Sequence, residues 1–342
     1  MGKIVTFGEL MIRLQPCNYQ RFVQTDRLEF TFGGGEANVA VSLANYGLEA
    51  VFVTKLPAHA VGQAAVNSLR RYGVDTGKIV RGGERVGIYF NEKGASQRGS
   101  VCIYDRAHSA IQEALPADFD WDVILEGADW FHFTGITPAL GPNLVEICRE
   151  ACETARAKGV KISCDLNYRG KLWSRQQARE AMTVLCGYVD VCVSNEEDAR
   201  DVFDIEAEAT DITAGKLNRE GYRSVARQLA ERFGFEKVAV TLRESYSASD
   251  NGWSAMLYDT AGGEYCFSRK YPLHIVDRVG GGDSFGGGLI YALMAGKSAQ
   301  DAVEFAAAAS ALKHSIEGDY NMVTLAEVEK LAAGDGSGRI QR

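Results

Sequence analysis

The chain carries the stretch DRVGGGDSF at residues 277–285, and a helical pattern over residues 286–295 follows it directly. Glycines before a helix let the backbone turn tightly and bring several N–H groups to one point. The helix start adds partial positive charge, so the amides of Gly280 to Gly282 can stabilise negative charge that develops during phosphoryl transfer. Asp283 can stay ionised there and accept a hydroxyl proton as the phosphate moves. Taken alone, Asp283 could equally be an ordinary carboxylate at a helix N-terminus.

A second glycine-rich stretch, TFGGGEANVA at residues 31–40, precedes an alanine-rich helical pattern. A glycine such as Gly34 allows the backbone to approach a polyhydroxylated ligand closely, and Asn38 offers both a hydrogen-bond donor and an acceptor. A turn followed by a helix cap explains the same residues without any ligand.

Two other nucleotide-binding motifs are nearly matched but fail. The run AGKS at residues 295–298 looks like the end of a P-loop, but Tyr291 stands where the first glycine of that motif belongs. The loop at residues 33–38 has Asn38 where a G-x-G-x-x-G motif needs its last glycine, and it does not follow the first strand. These departures argue against a P-loop enzyme and against an NAD-dependent dehydrogenase.

Short apolar runs alternate with helical patterns through most of the chain. This rhythm predicts βαβ units and an α/β fold with a mainly parallel, covered sheet. The predicted strands include residues 51–53, 130–133, 160–164, 189–193 and 237–241, with helices near residues 61–72, 143–157 and 301–314.

Two segments, at about residues 11–32 and 84–106, break this rhythm. They lack helical periodicity and alternate apolar with polar residues, as strands with one solvated face do. We expect them to form a small antiparallel sheet apart from the main one, placed as a lid over a cleft. Its exposed edge strands would invite pairing between subunits, which predicts a homo-oligomer.

The composition is that of a globular protein without a polyanionic partner. The 342 residues are 46% hydrophobic and 24% charged, with a formal net charge of −8, so nucleic acid is not an expected partner. No run approaches the roughly 20 apolar residues of a membrane helix, and the first residues show no signal-peptide pattern. We therefore expect a soluble, cytoplasmic protein without membrane contact.

The eight cysteines favour buried thiols over a metal site. Cys148 and Cys152 lie four residues apart in a predicted helix, like half of a zinc site, but no second pair completes it in the sequence. The five histidines are also scattered. Free thiols in a reducing compartment are the better interpretation.

Together, the two glycine-rich stretches resemble those of the ribokinase-like, or phosphofructokinase-B, family of sugar kinases. The Gly33-Gly34-x-x-x-Asn38 element and the Asp277-x-x-Gly280-x-Gly282-Asp283 element match in order and separation, and the resemblance covers nearly the whole chain. It implies one domain over residues 1–342, with three α/β/α layers and a β-sheet lid. It also implies transfer of the ATP γ-phosphate to a sugar hydroxyl with Mg²⁺. The implied base is Asp283, beside Gly280, Gly281 and Gly282.

Within this family, four further segments resemble kinases that convert 2-keto-3-deoxygluconate to its 6-phosphate. The segments are residues 8–11, 87–90, 104–106 and 165–169. The tyrosines in these segments could instead pack within the lid, and the arginines could pair with surface carboxylates. The sugar contacts that the resemblance implies are Gly34, Asn38, Tyr89, Tyr104, Arg106 and Arg169.

On the nucleotide side, the resemblance implies contacts from Asn195, Thr241, Arg243, Gly282 and Gly318. An Asn-x-x-Glu element that helps to hold Mg²⁺ in the family appears here as NEED at residues 195–198, so either Asp198 or Glu197 would act through water. Arg243 replaces a usual glycine after the strand predicted to end at Thr241, so the loop there must differ. A monovalent cation such as K⁺ near the Asp277 loop is left open.

Arg13 bears on the substrate. It stands near the place where members that bind neutral sugars often carry an aspartate, which argues against ribose, nucleosides and fructose. Two alternatives nevertheless stay open: a kinase of another sugar, such as fructose or the galactonate epimer, and a non-catalytic sugar or nucleotide sensor. An intact Asp283 with its glycines favours catalysis over sensing.

Overall fold

A computed structural model describes residues 2–195, 197–206 and 219–338. The strands are β1 (Lys3–Phe7), β2 (Met11–Pro16), β3 (Leu28–Gly33), β4 (Glu49–Val53), β5 (Lys55–Leu56), β6 (Val80–Arg81), β7 (Ile88–Glu92), β8 (Val101–Asp105), β9 (Trp130–Thr134), β10 (Lys161–Asp165), β11 (Val191–Asn195), β12 (Lys237–Ser245), β13 (Asp250–Asp259), β14 (Glu264–Phe267) and β15 (Tyr271–His274). The helices are α1 (Gly35–Asn45), α2 (Ala60–Arg70), α3 (Trp121–Ile124), α4 (Pro142–Ala157), α5 (Arg175–Cys186), α6 (Asp198–Phe203), α7 (Arg219–Phe233), α8 (Gly281–Met294), α9 (Ala299–Lys313) and α10 (Leu325–Ala332).

The central sheet has the order β14-β13-β12-β11-β10-β9-β1-β4, with β15 also paired to β13. Within this sheet, the neighbouring strands β12, β11, β10, β9, β1 and β4 all run parallel. In the part of the chain described, only the pairs of this sheet that involve β13 are antiparallel. The predicted mainly parallel sheet is therefore confirmed. Because parallel strands end at the same edge, β9, β10, β11 and β12 bring their carboxyl ends together.

Helices cover both faces of this sheet. Successive strand residues point to opposite faces, so Val5 and Phe7 join one apolar cluster and Ile4 joins the other. Buried side chains of α4 to α7 belong to the first cluster, and those of α1, α2, α8, α9 and α10 to the second. The three layers are those predicted. No helix in the described ranges has the length and apolar character that crossing a membrane requires.

All eight cysteines are free, and six of them are buried, including Cys148 and Cys152 on α4. These two thiols pack among apolar side chains of the first cluster. The described residues contain no group of three or more His, Cys, Asp or Glu side chains placed to hold a metal ion directly.

A separate sheet with the order β3-β2-β7-β8 forms the lid. The prediction of an all-antiparallel lid is wrong for its central pair, because β2 and β7 run parallel. A hairpin fixes β3 antiparallel to β2, but the chain then passes through the main domain body before β7. No tight turn joins β7 to β2, so the direction of β7 is not fixed by a hairpin. The edge strands are β3 and β8, and pairing between subunits there stays a prediction.

Helices α8 and α9 pack very closely. A Cβ placed on Gly288 would lie 3.0 Å from the Cα of Ala306 and 3.1 Å from the Cβ of Ala309. Small residues on both helices allow this approach. The C-terminal end of α9 consequently lies directly beneath the glycine-rich start of α8.

Candidate active site

A cleft with a volume of about 470 Å³ lies between the carboxyl ends of the parallel strands and the lid. Ligands of open α/β sheets bind at this edge as a rule. Most residues predicted from the sequence meet in the cleft. They are Gly34, Asn38, Tyr89, Tyr104, Arg106, Arg169, Asn195, Thr241, Arg243, Gly280, Gly282 and Asp283.

Among the predicted glycines, Gly281 and Gly318 do not line the cleft. The amide of Gly281 donates to the carbonyl of Arg278 at 3.3 Å, and a Cβ at Gly281 would lie 2.4 Å from the His314 ring. The amide of Gly318 donates to Oδ2 of Asp277 at 3.1 Å. Close packing explains the first glycine and a hydrogen bond to Asp277 the second, so this geometry gives neither a direct ligand contact.

Asp283 lies in the first turn of α8 and faces the cleft. Its Oδ2 accepts a hydrogen bond of 2.7 Å from Nδ2 of Asn38, whose Oδ1 accepts one of 3.4 Å from the amide of Gly34. Asn38 therefore orients the carboxylate, in addition to lining the cleft. Burial raises the pKa of Asp283 to about 6, against the opposing effect of the Asn38 hydrogen bond. Such a carboxylate is mostly ionised at neutral pH and basic enough to accept a proton.

The start of α8 is built for close approach. Gly280 has φ of 82°, and a Cβ there would lie 2.0 Å from the carbonyl oxygen of Asp319. The helix begins at Gly281, earlier than the sequence pattern indicated, so Gly282 and Asp283 occupy its first turn. First-turn amides have no carbonyl a turn earlier in the helix and can therefore donate to an anion.

Two further carboxylates, Asp165 and Asp198, share the cleft with Asp283. Burial is the main cause that raises the pKa of Asp198 to about 7, and the pKa of Asp165 is raised by burial and by repulsion from Asp198 and Asp283. Oδ2 of Asp198 is buried without a hydrogen-bond partner among the described residues, whereas Glu197 is exposed and outside the cleft. A hydrated Mg²⁺ fits this set, because it favours carboxylate oxygens and keeps several waters.

Two of the arginines that line the cleft, Arg106 and Arg169, have different surroundings. Nε of Arg106 lies 3.4 Å from Oε2 of Glu9, and its guanidinium stacks over the Tyr104 ring at 4.5 Å. Arg169 is exposed and donates to the carbonyl of Tyr168 at 3.0 Å. No carboxylate of the described residues forms an ion pair with Arg169, so its guanidinium can bind a ligand. From a distance, its charge opposes the rise in the pKa of Asp165, Asp198 and Asp283.

Arg13 lies on the lid strand β2, and its side chain is buried rather than directed into the cleft. It is 0% exposed and does not line the cleft. Its Nη2 lies 2.5 Å from Oδ2 of Asp277, and its Nη1 lies 2.6 Å from Oδ1 of Asp319. Tyr89 of β7 donates to the same Asp319 carboxylate at 2.6 Å. Arg13 and Tyr89 thus tie two lid strands to the loop before α8 and to the segment after α9.

At the other end of the cleft, the strand that was predicted to end at Thr241 continues to Ser245. Arg243 therefore stays within β12 and pairs with Trp253 of β13 instead of entering a loop. Burial and the nearby charge of Arg243 lower the pKa of Arg278. Two cations that repel each other at the edge of a cleft form a suitable site for phosphate groups.

Sequence reasoning missed several residues of the lining. Asp165 ends β10 and Asn167 follows it, and their position at the carboxyl end of a parallel strand was a usable signal. Arg278 lies within the glycine-rich stretch at residues 277–285, but nothing local shows that its side chain faces the cleft. Asn91 and Asp319 line the cleft only because distant elements meet there.

Comparisons with known proteins agree with this geometry. A family model described as pfkB family carbohydrate kinase matches residues 1–325. The 2-dehydro-3-deoxygalactonokinase of Haloferax volcanii is 35% identical over 98% of this chain and 98% of its own length. The 5-dehydro-2-deoxygluconokinase of Shouchella clausii is 27% identical, covering 96% of this chain and 94% of its own.

Among solved structures, the crystal structure of a 2-dehydro-3-deoxygluconokinase from Thermotoga maritima has 52% sequence identity and a TM-score of 0.94, and covers 98% of this chain and 100% of that chain. The match confirms the ribokinase-like fold that the resemblance implied, with its mainly parallel sheet and separate small sheet. Fold, cleft and family match lead to one conclusion. The chain belongs to the pfkB family of carbohydrate kinases.

Proposed function

We propose that this sugar kinase transfers the γ-phosphate of ATP to the terminal hydroxyl of 2-keto-3-deoxygluconate, also called 2-dehydro-3-deoxygluconate, within a single kinase domain. One observation carries the proposal. A carboxylate poised as a base, Asp283, shares a cleft with Arg169, a cation that has no carboxylate partner among the described residues. A sugar acid brings both the hydroxyl that Asp283 needs and the carboxylate that Arg169 can bind.

In this mechanism Asp283 accepts the proton of the attacking hydroxyl, held in position by Asn38. The first-turn amides of α8 at Gly282 and Asp283 stabilise the charge of the transferred phosphoryl group. Thr241, Arg243 and Arg278 bind the phosphates of ATP. Mg²⁺, held through water by Asp198, would neutralise phosphate charge when bound.

Support for a sugar acid comes from the charge pattern and from the relatives. A neutral sugar does not need a cation in its pocket, whereas a carboxylate is held well by the planar guanidinium of arginine. The named relatives at 52%, 35% and 27% identity are all kinases of deoxy keto acids. Fructose, which lacks the carboxylate, is therefore the weaker alternative.

A second candidate substrate is 2-dehydro-3-deoxygalactonate, the substrate named for the relative at 35% identity. The two acids differ only in stereochemistry at C4, and a few hydrogen bonds decide between them. The Thermotoga maritima kinase, at 52% identity, is the observation that puts the gluconate form first.

The test is a phosphorylation screen of 2-keto-3-deoxygluconate, its galactonate epimer, fructose and ribose, with ATP consumption and product mass as readouts. We expect the highest kcat/KM for the gluconate acid and a kcat lower by roughly 10²–10⁴-fold for Asp283→Asn. A preference for a neutral sugar would contradict the sugar-acid proposal. Sugar binding without any ATP consumption would favour the sensor.

A further inference from the structure

Lys313, at the C-terminal end of α9, is a buried lysine that has no role in the proposed phosphoryl transfer. It is 0% exposed, although lysine is rarely buried without a partner. Its Nζ lies 3.1 Å from the carbonyl oxygen of Ile316 and 3.5 Å from that of Asp277. Its Cε would lie 3.3 Å from a Cβ placed on Gly280. The ammonium group therefore lies directly under the first glycine of the catalytic loop.

The partners of this ammonium group are unusual. No carboxylate oxygen of residues 2–195, 197–206 and 219–338 forms an ion pair with Lys313, and backbone carbonyls hold the charge. Burial lowers the pKa of Lys313, and the more distant charges of Asp277, Asp319 and Asp283 oppose this by favouring the charged form. A buried charge is costly unless it is compensated, so the compensation by carbonyls and distant carboxylates is a specific arrangement.

The loop that contains Asp277 is held against the C-terminal end of α9 by hydrogen bonds. The carbonyl of His314 accepts hydrogen bonds from the amides of Val276 at 2.8 Å and of Asp277 at 3.4 Å. The C-terminal end of α9 carries partial negative charge, which a cation at Lys313 offsets. Carbonyl oxygens gathered around a single positive charge are also how proteins bind K⁺.

We propose that the ammonium group of Lys313 is a built-in monovalent cation that holds the Asp277 carbonyl, and with it the Gly280–Asp283 turn, in the geometry for phosphoryl transfer. Lys313 is thus a positioning residue, and it occupies the place where a soluble K⁺ would otherwise be required. The enzyme consequently works without K⁺. This inference rests on the proposed transfer at Asp283 and adds a cation requirement that can be measured separately.

The test compares kcat in buffers that contain either potassium or tetramethylammonium as the only monovalent cation. We expect wild-type rates within about twofold of each other, since tetramethylammonium is too large to enter a carbonyl site. Lys313→Met fills the space without charge and should lower kcat roughly 10- to 100-fold in both buffers, the size expected for a lost charged hydrogen bond. Lys313→Ala leaves space, so K⁺ or methylammonium should restore part of its rate.

A second readout does not depend on turnover. The thermal unfolding midpoint of Lys313→Ala should rise on addition of K⁺ but not of tetramethylammonium, while wild type and Lys313→Met should not respond. Lys330→Met serves as the control, because Lys330 lies on α10 in an exposed ion pair with Asp335 at 3.3 Å. It should match wild type in both buffers.

Three results would overturn the proposal: a wild-type rate that depends on K⁺, Lys313→Met with wild-type kcat, or Lys313→Ala that gains neither rate nor stability from K⁺. If Lys313→Ala does not fold, the wild-type comparison and Lys313→Met decide. The salt comparison uses whichever sugar the wild type accepts, so a wrong sugar assignment does not alter it. Failure to phosphorylate any sugar would instead contradict the proposed function.

Discussion

Nδ2 of Asn38 lies 2.7 Å from Oδ2 of Asp283, although 245 residues separate the two in the chain. The contact joins the two glycine-rich stretches, since Asn38 belongs to the first turn of α1 and Asp283 to that of α8. A neutral donor holds the carboxylate in its ionised form and fixes its direction without removing its basicity. The two helices thus build one catalytic position.

Replacement of the base gives the first prediction. Asp283→Asn keeps the shape but removes the proton acceptor, so kcat should fall by roughly 10²–10⁴-fold, the usual size of a general-base contribution. Sugar affinity should change only a few-fold, since the amide still fits the site. Steady-state kinetics and calorimetric titration with the sugar measure both. Turnover close to wild type would make Asp283 a structural residue.

The second prediction concerns pH. The folded-state pKa of Asp283 is raised to about 6, so wild-type kcat/KM should rise as pH increases through about 6 and then level off. Asn38→Ala removes the hydrogen bond that lowers this pKa. The acid limb should therefore move to higher pH by about one pH unit or more, given the strength of hydrogen bonds to charged groups.

Asn45→Ala is the matched control for that profile. Asn45 ends the same helix, and its Nδ2 donates to the carbonyl of Asn321 at 2.7 Å, away from Asp283. It should leave the acid limb where it is. If Asn38→Ala also leaves the limb unchanged, the group that titrates is not Asp283.

Arg106 and Arg169, the two arginines predicted to contact the sugar, give the third prediction. Arg169→Ala should lower kcat/KM for the sugar acid by roughly 10–150-fold, because a charged hydrogen bond is worth about 1.5–3 kcal/mol. The loss on a neutral ketose should be much smaller, and Arg169→Lys should rescue only in part. Arg106→Ala should also reduce activity, but it leaves the buried Glu9 without its cation and should lower the unfolding midpoint as well. Equal losses on both sugars would contradict a carboxylate contact.

The fourth prediction concerns stability and Mg²⁺. The folded state holds the Asp198 proton up to about pH 7, well above the ordinary value of 3.8, so the stability contributed by that proton is lost as pH rises toward 7. At pH 8 without Mg²⁺, the free energy of unfolding of Asp198→Asn should therefore exceed that of wild type by at most about 4 kcal/mol. The variant should accordingly unfold at a higher temperature. The gain should shrink at pH 5.

The same variant should need more Mg²⁺ for half-maximal activity, since it removes the proposed water-mediated anion. Glu197→Gln is the control for the Mg²⁺ requirement, which it should leave unchanged because Glu197 is exposed outside the cleft. Its charge contributes to the raised pKa of Asp198, so it is not a control for stability. Calorimetry at two pH values and a Mg²⁺ titration of the rate provide the measurements. An unstabilised Asp198→Asn at pH 8 would show that Asp198 is compensated in the folded protein.

The fifth prediction concerns the lid. Amide exchange in residues 11–32 and 84–104 should slow when the sugar acid binds, more than in β10 and β11, because closure excludes water from the cleft. Arg13 already ties β2 to the protein body, whereas four of the five residues of β8 are exposed. The largest change should therefore occur in β8. No change at saturating substrate would contradict a lid that closes.

Local patterns in the sequence were enough for the sheet, its covering helices and the place of Asp283. Strand and helix periodicity reflect burial on one face of each element, and a glycine turn before a helix creates its anion site whatever lies around it. Parallel strands also share one edge, so Asp165 at the end of β10 could have been predicted to join the site.

Only the tertiary structure decided which side chains neutralise one another. In the sequence, Arg106 looks like a sugar contact and Arg13 only stands near the place of an aspartate found in neutral-sugar kinases. In the structure, Arg13 is buried against Asp277 and Asp319, and Arg106 lies against Glu9. Arg169 alone of these three has no carboxylate partner within the described residues. The parallel direction of β7 and the burial of Lys313 under Gly280 were likewise invisible. Such pairings join residues far apart in the chain, and local periodicity carries no record of which charges meet when distant elements pack.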